Sequence, residues 1–228
     1  MSTSEAPAGT SGAPATAPAA APVAAVLFDF GGVLSDSPFD AFARYERAQH
    51  LPERFIRGVN ATNHLDNAWA RLERSELDFD GFCDAFEDEA RQAGGRLDAR
   101  ELFATLAGEI RPDMIEAVAR CGRHFKTGLL TNNFVTPLAT TRSAHLADIL
   151  AMFDAVVESS VVGVRKPDER FYLLACEMLD IAPGDAVFLD DLGVNLKPAR
   201  ALGMRTIKVT DTTSAIEQLE RIVGIPLR

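Results

Sequence analysis

Short apolar runs recur along the chain, and each one stops at polar residues. The first, residues 23–28, runs into Asp29 and the pair Gly31-Gly32. Later runs are Gly128-Leu129-Leu130 before Thr131-Asn132-Asn133, Ala155-Val156-Val157 before Glu158-Ser159-Ser160, and Ala186-Val187-Phe188-Leu189 before Asp190-Asp191. A fifth, Thr206-Ile207-Lys208-Val209, precedes Thr210-Asp211. Continuous apolar runs of this length fit strands buried on both faces. Between them, residues 112–121, 168–179, 195–202 and 214–223 carry apolar positions at helical spacing. Pro112 opens the first of these segments, and Gly122 and Gly203 follow the ends of the first and third, where helices favour those residues. Strands alternating with helices predict an α/β fold with a doubly wound, Rossmann-like parallel sheet.

Residues 37–110 break that alternation. Segments 39–50, 53–59, 65–73, 79–92 and 99–106 read as helices, and no strand pattern lies among them. This stretch is expected to be an all-helical insert that leaves the core after the first strand. Open α/β sheets bind ligands beyond the carboxyl ends of their strands, so the insert is placed to act as a cap. The core is then residues 23–36 and 111–228. Residues 1–22 are mostly Ala, Pro, Ser, Thr and Gly with one charged side chain and no aromatic. They cannot offset the entropy of ordering, and a disordered tail is expected. The tail has neither the basic start and apolar run of a signal peptide nor the arginines of a presequence.

Composition narrows the functional classes. With 228 residues, 47% of them hydrophobic, the chain can bury a full core. The net charge of -10 comes from 23 basic and 33 acidic residues, without a block of Lys and Arg. That gives no footprint for nucleic acid or an acidic membrane, and a small anionic substrate would need local positive charge. Cys83, Cys121 and Cys176 are far apart and odd in number, which fits neither a disulfide framework nor a CxxC metal site. No apolar run approaches the roughly 18 residues of a membrane span. The expected setting is the cytoplasm.

Each polar strand end alone is ambiguous, because turns and helix caps also favour Asp, Asn, Ser and Thr. Their joint pattern is more specific. On a parallel sheet Asp29, Thr131, Lys166 and the pair Asp190-Asp191 all converge on one edge. Three carboxylates there would repel one another, and Lys166 with a divalent cation would cancel their charge. Oxygen donors of this kind suit a hard cation, and Mg²⁺ is expected.

The stretches DFGGVL, LLTNN, VGVRKPD and FLDDLGVNLKPARALGM resemble, in this order, motifs I to IV of the haloacid dehalogenase-like superfamily. More narrowly, ESSVVGVRKPDERFY, the FLDDLGVNLKPARALG run and the terminal TTSAIEQLERIVGIPLR are similar to the N-terminal phosphatase domain of soluble epoxide hydrolases. The GGVL and TNNF forms resemble the related domains fused to some acyl-CoA dehydrogenases. The likeness spans residues 23–228, sharply over the core and loosely in the insert. It implies that Asp29 is a nucleophile that takes up a phosphoryl group. Thr131 would hydrogen-bond a phosphoryl oxygen, with Asn132 beside it, and Lys166 would balance the charge of Asp29 and the phosphate. Gly32 and the other amides after Asp29 would donate N–H groups to the phosphate, as an anion nest does. Asp29, Asp190, Asp191 and the backbone carbonyl of Gly31 would hold Mg²⁺, with Asp191 favoured over Asp190 as a direct ligand. The substrate implied is a small phosphorylated metabolite.

Several residues keep a plainer alternative. Thr131 and Asn132 could merely form a turn, Asn133 could be a local cap or a substrate contact, and Arg165 could supply the charge in place of Lys166. Asn195 could cap its own helix or orient the Asp pair. Trp69 is expected in the core of the insert or at its interface, and the histidines are expected to be structural or exposed. One departure from the family pattern stands out. Most phosphatases of this superfamily carry a second Asp two residues after the nucleophile, which moves a proton to the leaving oxygen; this chain has Gly31. Such proton transfer is worth about 10²- to 10⁴-fold in rate. The chain is then a phosphatase limited to good leaving groups, a metal-free dehalogenase, or a non-catalytic module that binds a phosphorylated ligand.

Overall fold

The computed structural model describes residues 22–106, 108–135 and 143–228. The expected tail, residues 1–22, therefore lies outside the described residues except for Pro22. Among the described residues five strands form one parallel sheet: β1 (Ala25–Phe28), β2 (Lys126–Thr131), β3 (Ala155–Glu158), β4 (Ala186–Asp190) and β5 (Arg205–Lys208). Their order across the sheet is β3-β2-β1-β4-β5. The central strand β1 is buried along its whole length and sets Phe28 beside Leu129 on one side and Leu189 on the other.

Strand pleating explains how continuous apolar runs feed two cores, because successive side chains point to opposite faces. Val26, Phe28, Val187 and Leu189 pack on one face with α6 (Pro112–Cys121) and α11 (Thr212–Val223). Ala25, Leu27, Ala186 and Phe188 pack on the other with α9 (Glu169–Leu179) and α10 (Gly193–Ala201). Helix starts follow local chemistry: Asp168 accepts the Arg170 N–H ahead of α9, and Asp211 accepts the Ser214 N–H ahead of α11. Two helices have no counterpart in the expected pattern. These are α7 (Ser143–Leu150) and the single turn α8 (Ser159–Val162), the latter too short for its periodicity to stand out.

Helices α1 (Pro38–Ala48), α2 (Phe55–Ala61), α3 (Ala68–Glu73), α4 (Phe79–Gln92) and α5 (Ala99–Ala104) form the helical unit. They close around their own cluster, which includes Phe42, Ile56, Phe82, Phe86 and Leu102. Trp69 sits in this cluster with its ring edge-on to Phe42, Phe82 and Phe86. Phe134, just past β2, reaches into the same group, 5.0 Å from Phe103 and 6.2 Å from Trp69. The chain enters and leaves the unit through one narrow neck. Ser35 and Ile110 form an antiparallel bridge, Asp36 N–H donates to Glu109 O at 2.9 Å, and Arg111 N–H donates to Leu34 O at 2.8 Å.

Candidate active site

The strand order reverses at β1, and the crevice beyond the carboxyl ends of β1 and β4 is where such sheets bind ligands. Asp29 stands one residue past β1, with its N–H on Leu189 O at 2.9 Å, so its backbone is tied to β4. Asp190 ends β4 and is fully buried. Asp191 follows at the rim and accepts the Ser37 hydroxyl at 3.3 Å. Oxygens of Asp29, Asp190 and Asp191 lie within 4.8 Å of one another.

Lys166 is 1% exposed, and its Nζ sits 2.7 Å from Asp29 Oδ1 and 2.9 Å from Asp190 Oδ2. Lys166, not Arg165, therefore supplies the charge at the carboxylates; Arg165 turns away to the helical unit, where it meets Glu73 and the His64 carbonyl. Asn132 holds the lysine in place through two bonds to its backbone, donating to Lys166 O at 3.0 Å and accepting Lys166 N–H at 2.9 Å. Its side chain is thus committed to the loop that presents the ammonium. Thr131 ends β2 opposite Glu158 and is partly exposed at the same edge. Asn133 bonds Glu158 and Ser160, which ties the β2 loop to β3 and α8.

Asn195 is not a cap. Helix α10 begins at Gly193, and the Asn195 amide donates to both oxygens of Asp190, at 3.1 and 3.0 Å. With the Leu192 N–H on Oδ1 and Lys166 on Oδ2, Asp190 carries four donor contacts. Asp191 is only partly buried, in contrast to the fully buried Asp190.

The two glycines after Asp29 differ in what they allow. Gly32 has φ +76°, and a Cβ there would fall 2.4 Å from Asp191 Oδ2, so the missing side chain lets Asp191 approach the loop. Its N–H donates to Asp36 O at 3.3 Å and its carbonyl accepts Arg111, which engages the Gly32 amide within the loop. A Cβ on Gly31 would meet only Pro38 Cδ, at the ordinary contact distance of 3.6 Å.

The charges do not balance by themselves. Burial pushes the Asp29 carboxyl up to about 8, with Lys166 opposing and Asp190 and Asp191 adding to the rise. Burial, then Asp190, pushes Asp191 up to about 6. Burial works against the Lys166 ammonium, yet Asp190 and Asp29 outweigh it and raise its pKa. One ammonium thus faces three carboxylates, and the remaining charge and the all-oxygen donor set fit a hard divalent cation.

Sequence reasoning placed the strand-end residues in this site but missed Ser37 and Glu73. Ser37 lies just past the DFGGVL stretch and Glu73 deep in the insert, and only the folded chain brings the first to Asp191 and the second to Arg165. Known proteins resemble the chain over most of its length. A family model for haloacid dehalogenase-like hydrolases matches residues 23–203. The chain is 35% identical over 214 residues to acyl-CoA dehydrogenase family member 10 of Mus musculus, a match covering 89% of this chain and 19% of that protein. It is 33% identical over 217 residues to bifunctional epoxide hydrolase 2 of Sus scrofa, covering 89% of this chain and 39% of the relative. The chain thus spans a minor part of both relatives. A wild-type HAD family enzyme from Bacteroides thetaiotaomicron, solved with magnesium and inorganic phosphate, shares the fold at a TM-score of 0.55 and 17% identity, over 82% of this chain and 93% of that one. Among the described residues no helix is long and apolar enough to cross a membrane.

Proposed function

The chain belongs to the haloacid dehalogenase-like hydrolases, and from that membership we propose that it is a Mg²⁺-dependent phosphatase of small phosphorylated metabolites, working through an aspartyl-phosphate on Asp29. The carrying observation is the buried Lys166 ammonium held between Asp29 and Asp190, with Asp191 within reach at the rim. Lys166 and the Phe30 N–H both engage Oδ1 of Asp29, which leaves Oδ2 for attack, and the charge of an incoming phosphate has a fixed counterion.

Asp29 attacks phosphorus, the bond to the leaving oxygen breaks, and the phosphoryl group passes to the carboxylate. Water then cleaves the acyl phosphate, releasing inorganic phosphate and restoring Asp29. Lys166 stabilises the charge on the transferring oxygens, and the Thr131 hydroxyl donates a hydrogen bond to one of them. Asn132 and Asn195 act from behind, the first on the Lys166 backbone and the second on Asp190. Asp29, Asp191, the Gly31 carbonyl and Asp190 would hold Mg²⁺, which when bound neutralises phosphoryl oxygens. Asp190, already carrying Lys166, Asn195 and the Leu192 N–H, serves mainly to fix the cluster.

Gly31 supplies no proton. The leaving group must depart as a weak base, which favours acyl, aryl and anomeric sugar phosphates over alkyl esters. The same absence favours one other reading, a module that binds a phosphorylated ligand without turning it over. The Asp190-Asp191 pair speaks against metal-free dehalogenation, which needs no cation site. The discriminating experiment is Mg²⁺-dependent phosphate release across a panel of phosphate esters, beside Asp29→Asn. Release that disappears in the variant supports the enzyme; equal rates in both proteins would overturn it in favour of the binding module.

A further inference from the structure

Glu73 lies at the end of α3 in the helical unit and is 6% exposed, yet it is a carboxylate. Its Oε2 meets Arg165 Nε at 2.5 Å, and its Oε1 accepts the Trp69 indole N–H at 2.9 Å. Arg165 makes a second link to the unit, donating to the His64 carbonyl at 3.0 Å. These contacts cross from the helical unit to the residue that precedes Lys166. A buried carboxylate is costly unless paired, so this pair is held only while the unit is seated on the sheet. Burial pushes the Glu73 carboxyl up, against Arg165 and the Trp69 N–H.

The short loop from Arg165 to Asp168 is fixed from three sides. The Asp168 N–H donates to Arg165 O at 2.9 Å, and Asp168 caps α9. Asn132 brackets the Lys166 backbone from the β2 side. Glu73 supplies the third side, and of the three it alone comes from the helical unit. Trp69 carries the link inward, because its indole lies among Phe42, Phe82, Phe86, Phe103 and Phe134.

We propose that Glu73 is a positioning residue: through Arg165, the seated helical unit sets the loop that aims Lys166 Nζ between Asp29 and Asp190. The effect on turnover rests on the phosphatase reading, while the link itself does not. Lys166 touches the reacting carboxylate and Glu73 does not, so Glu73 acts on rate only through the placement of the ammonium. A displacement of about 1 Å at such a group costs on the order of 10²-fold. Substrate binding through other contacts would change little.

The test uses the full chain and four variants: Glu73→Gln, Arg165→Met, their combination, and Ser75→Ala. Ser75 donates its hydroxyl to Ser160 O at 2.8 Å, a second contact between the helical unit and the core that does not touch the Lys166 loop. Expected are a fall in kcat of at least about 10-fold for Glu73→Gln and Arg165→Met, with KM within about 3-fold of wild type. The combined variant should be no worse than Arg165→Met alone, because that change already removes the link to Glu73, and Ser75→Ala should keep wild-type kcat. Trp69 is the sole tryptophan, so intrinsic emission reads the link without any turnover: Arg165→Met should shift it and Ser75→Ala should not. Unchanged kcat and emission in Arg165→Met would overturn the proposal, as would an equal fall in kcat in Ser75→Ala, which would mean that any loosening of the unit suffices. If no protein hydrolyses phosphate esters, the phosphatase reading fails, and the emission shift alone then upholds or overturns the link.

Discussion

Asn195 grips both carboxylate oxygens of Asp190 with one amide group, five residues away on the first turn of α10. Asp190 is completely buried, so each of its oxygens must find donors inside the protein. The amide supplies part of that need and leaves Lys166 free to bridge to Asp29.

Replacing Asn195 with Leu should therefore cost more than a lost contact. The buried carboxylate would lose two donor contacts, worth about 1–3 kcal/mol of stability. Turnover should fall by at least about 10-fold as Asp190 and Lys166 shift. Chemical denaturation and steady-state kinetics on the same preparations check both effects.

Gly31→Asp should be accepted by the fold and should gain activity on alkyl phosphates. Its Cβ would meet only Pro38 at van der Waals distance, and the backbone there is not in the left-handed region. A carboxyl at this position could protonate the leaving oxygen, a gain of about 10²-fold or more. Aryl phosphates, which need no such help, should gain little. Comparing kcat for an alkyl and an aryl ester in both proteins measures the difference.

Gly32→Ala should behave in the opposite way. A methyl group at φ +76° is strained and would collide with Asp191, so about 1–2 kcal/mol of stability should be lost. Asp191 would be pushed off the loop, and Mg²⁺ should bind at least about 10-fold more weakly. Thermal melts with and without Mg²⁺ separate the two losses.

The metal-free protein should become less stable as pH rises through the range where its buried carboxyls ionise. Asp29 is raised from 3.8 to about 8 and Asp191 from 3.8 to about 6. A raised folded-state pKa means that the folded protein holds the proton more tightly. The stabilising contribution is complete below about pH 4 and is lost as pH climbs through about 6 and then about 8. Mg²⁺ binds the ionised forms, so the rise in Tm on adding Mg²⁺ should grow over the same range. Melts in buffers across that range, with and without EDTA, test the sign.

The sequence carried the sheet and most of the site because both depend on local patterns. Apolar runs ending in Asp29, Thr131, Glu158 and Asp190 are strand ends, and parallel pairing brings such ends to one edge. Helix α6 matches its expected span because Pro112 fixes its start and Gly122 follows its end. The link between Asp190 and Asn195 is also local, since a strand turning into a helix brings residues five apart together. The order of strands, the turn of Arg165 toward Glu73 and the hydroxyl of Ser37 on Asp191 are different in kind. They join residues far apart in the chain, and no spacing rule reaches across the helical unit. Asn132 illustrates a third case: its place at the edge was legible, but its use on the Lys166 backbone follows from a loop conformation that only the folded chain shows.

The neck at Ser35 and Ile110 brings the two ends of the helical unit to one point on the core. The segment between those ends can change in length without altering strand register, whereas Ser37 and Glu73 within it are tied to Asp191 and Arg165 of the core. Most of the insert is then free to be refitted, while a few anchor points must travel with the sheet.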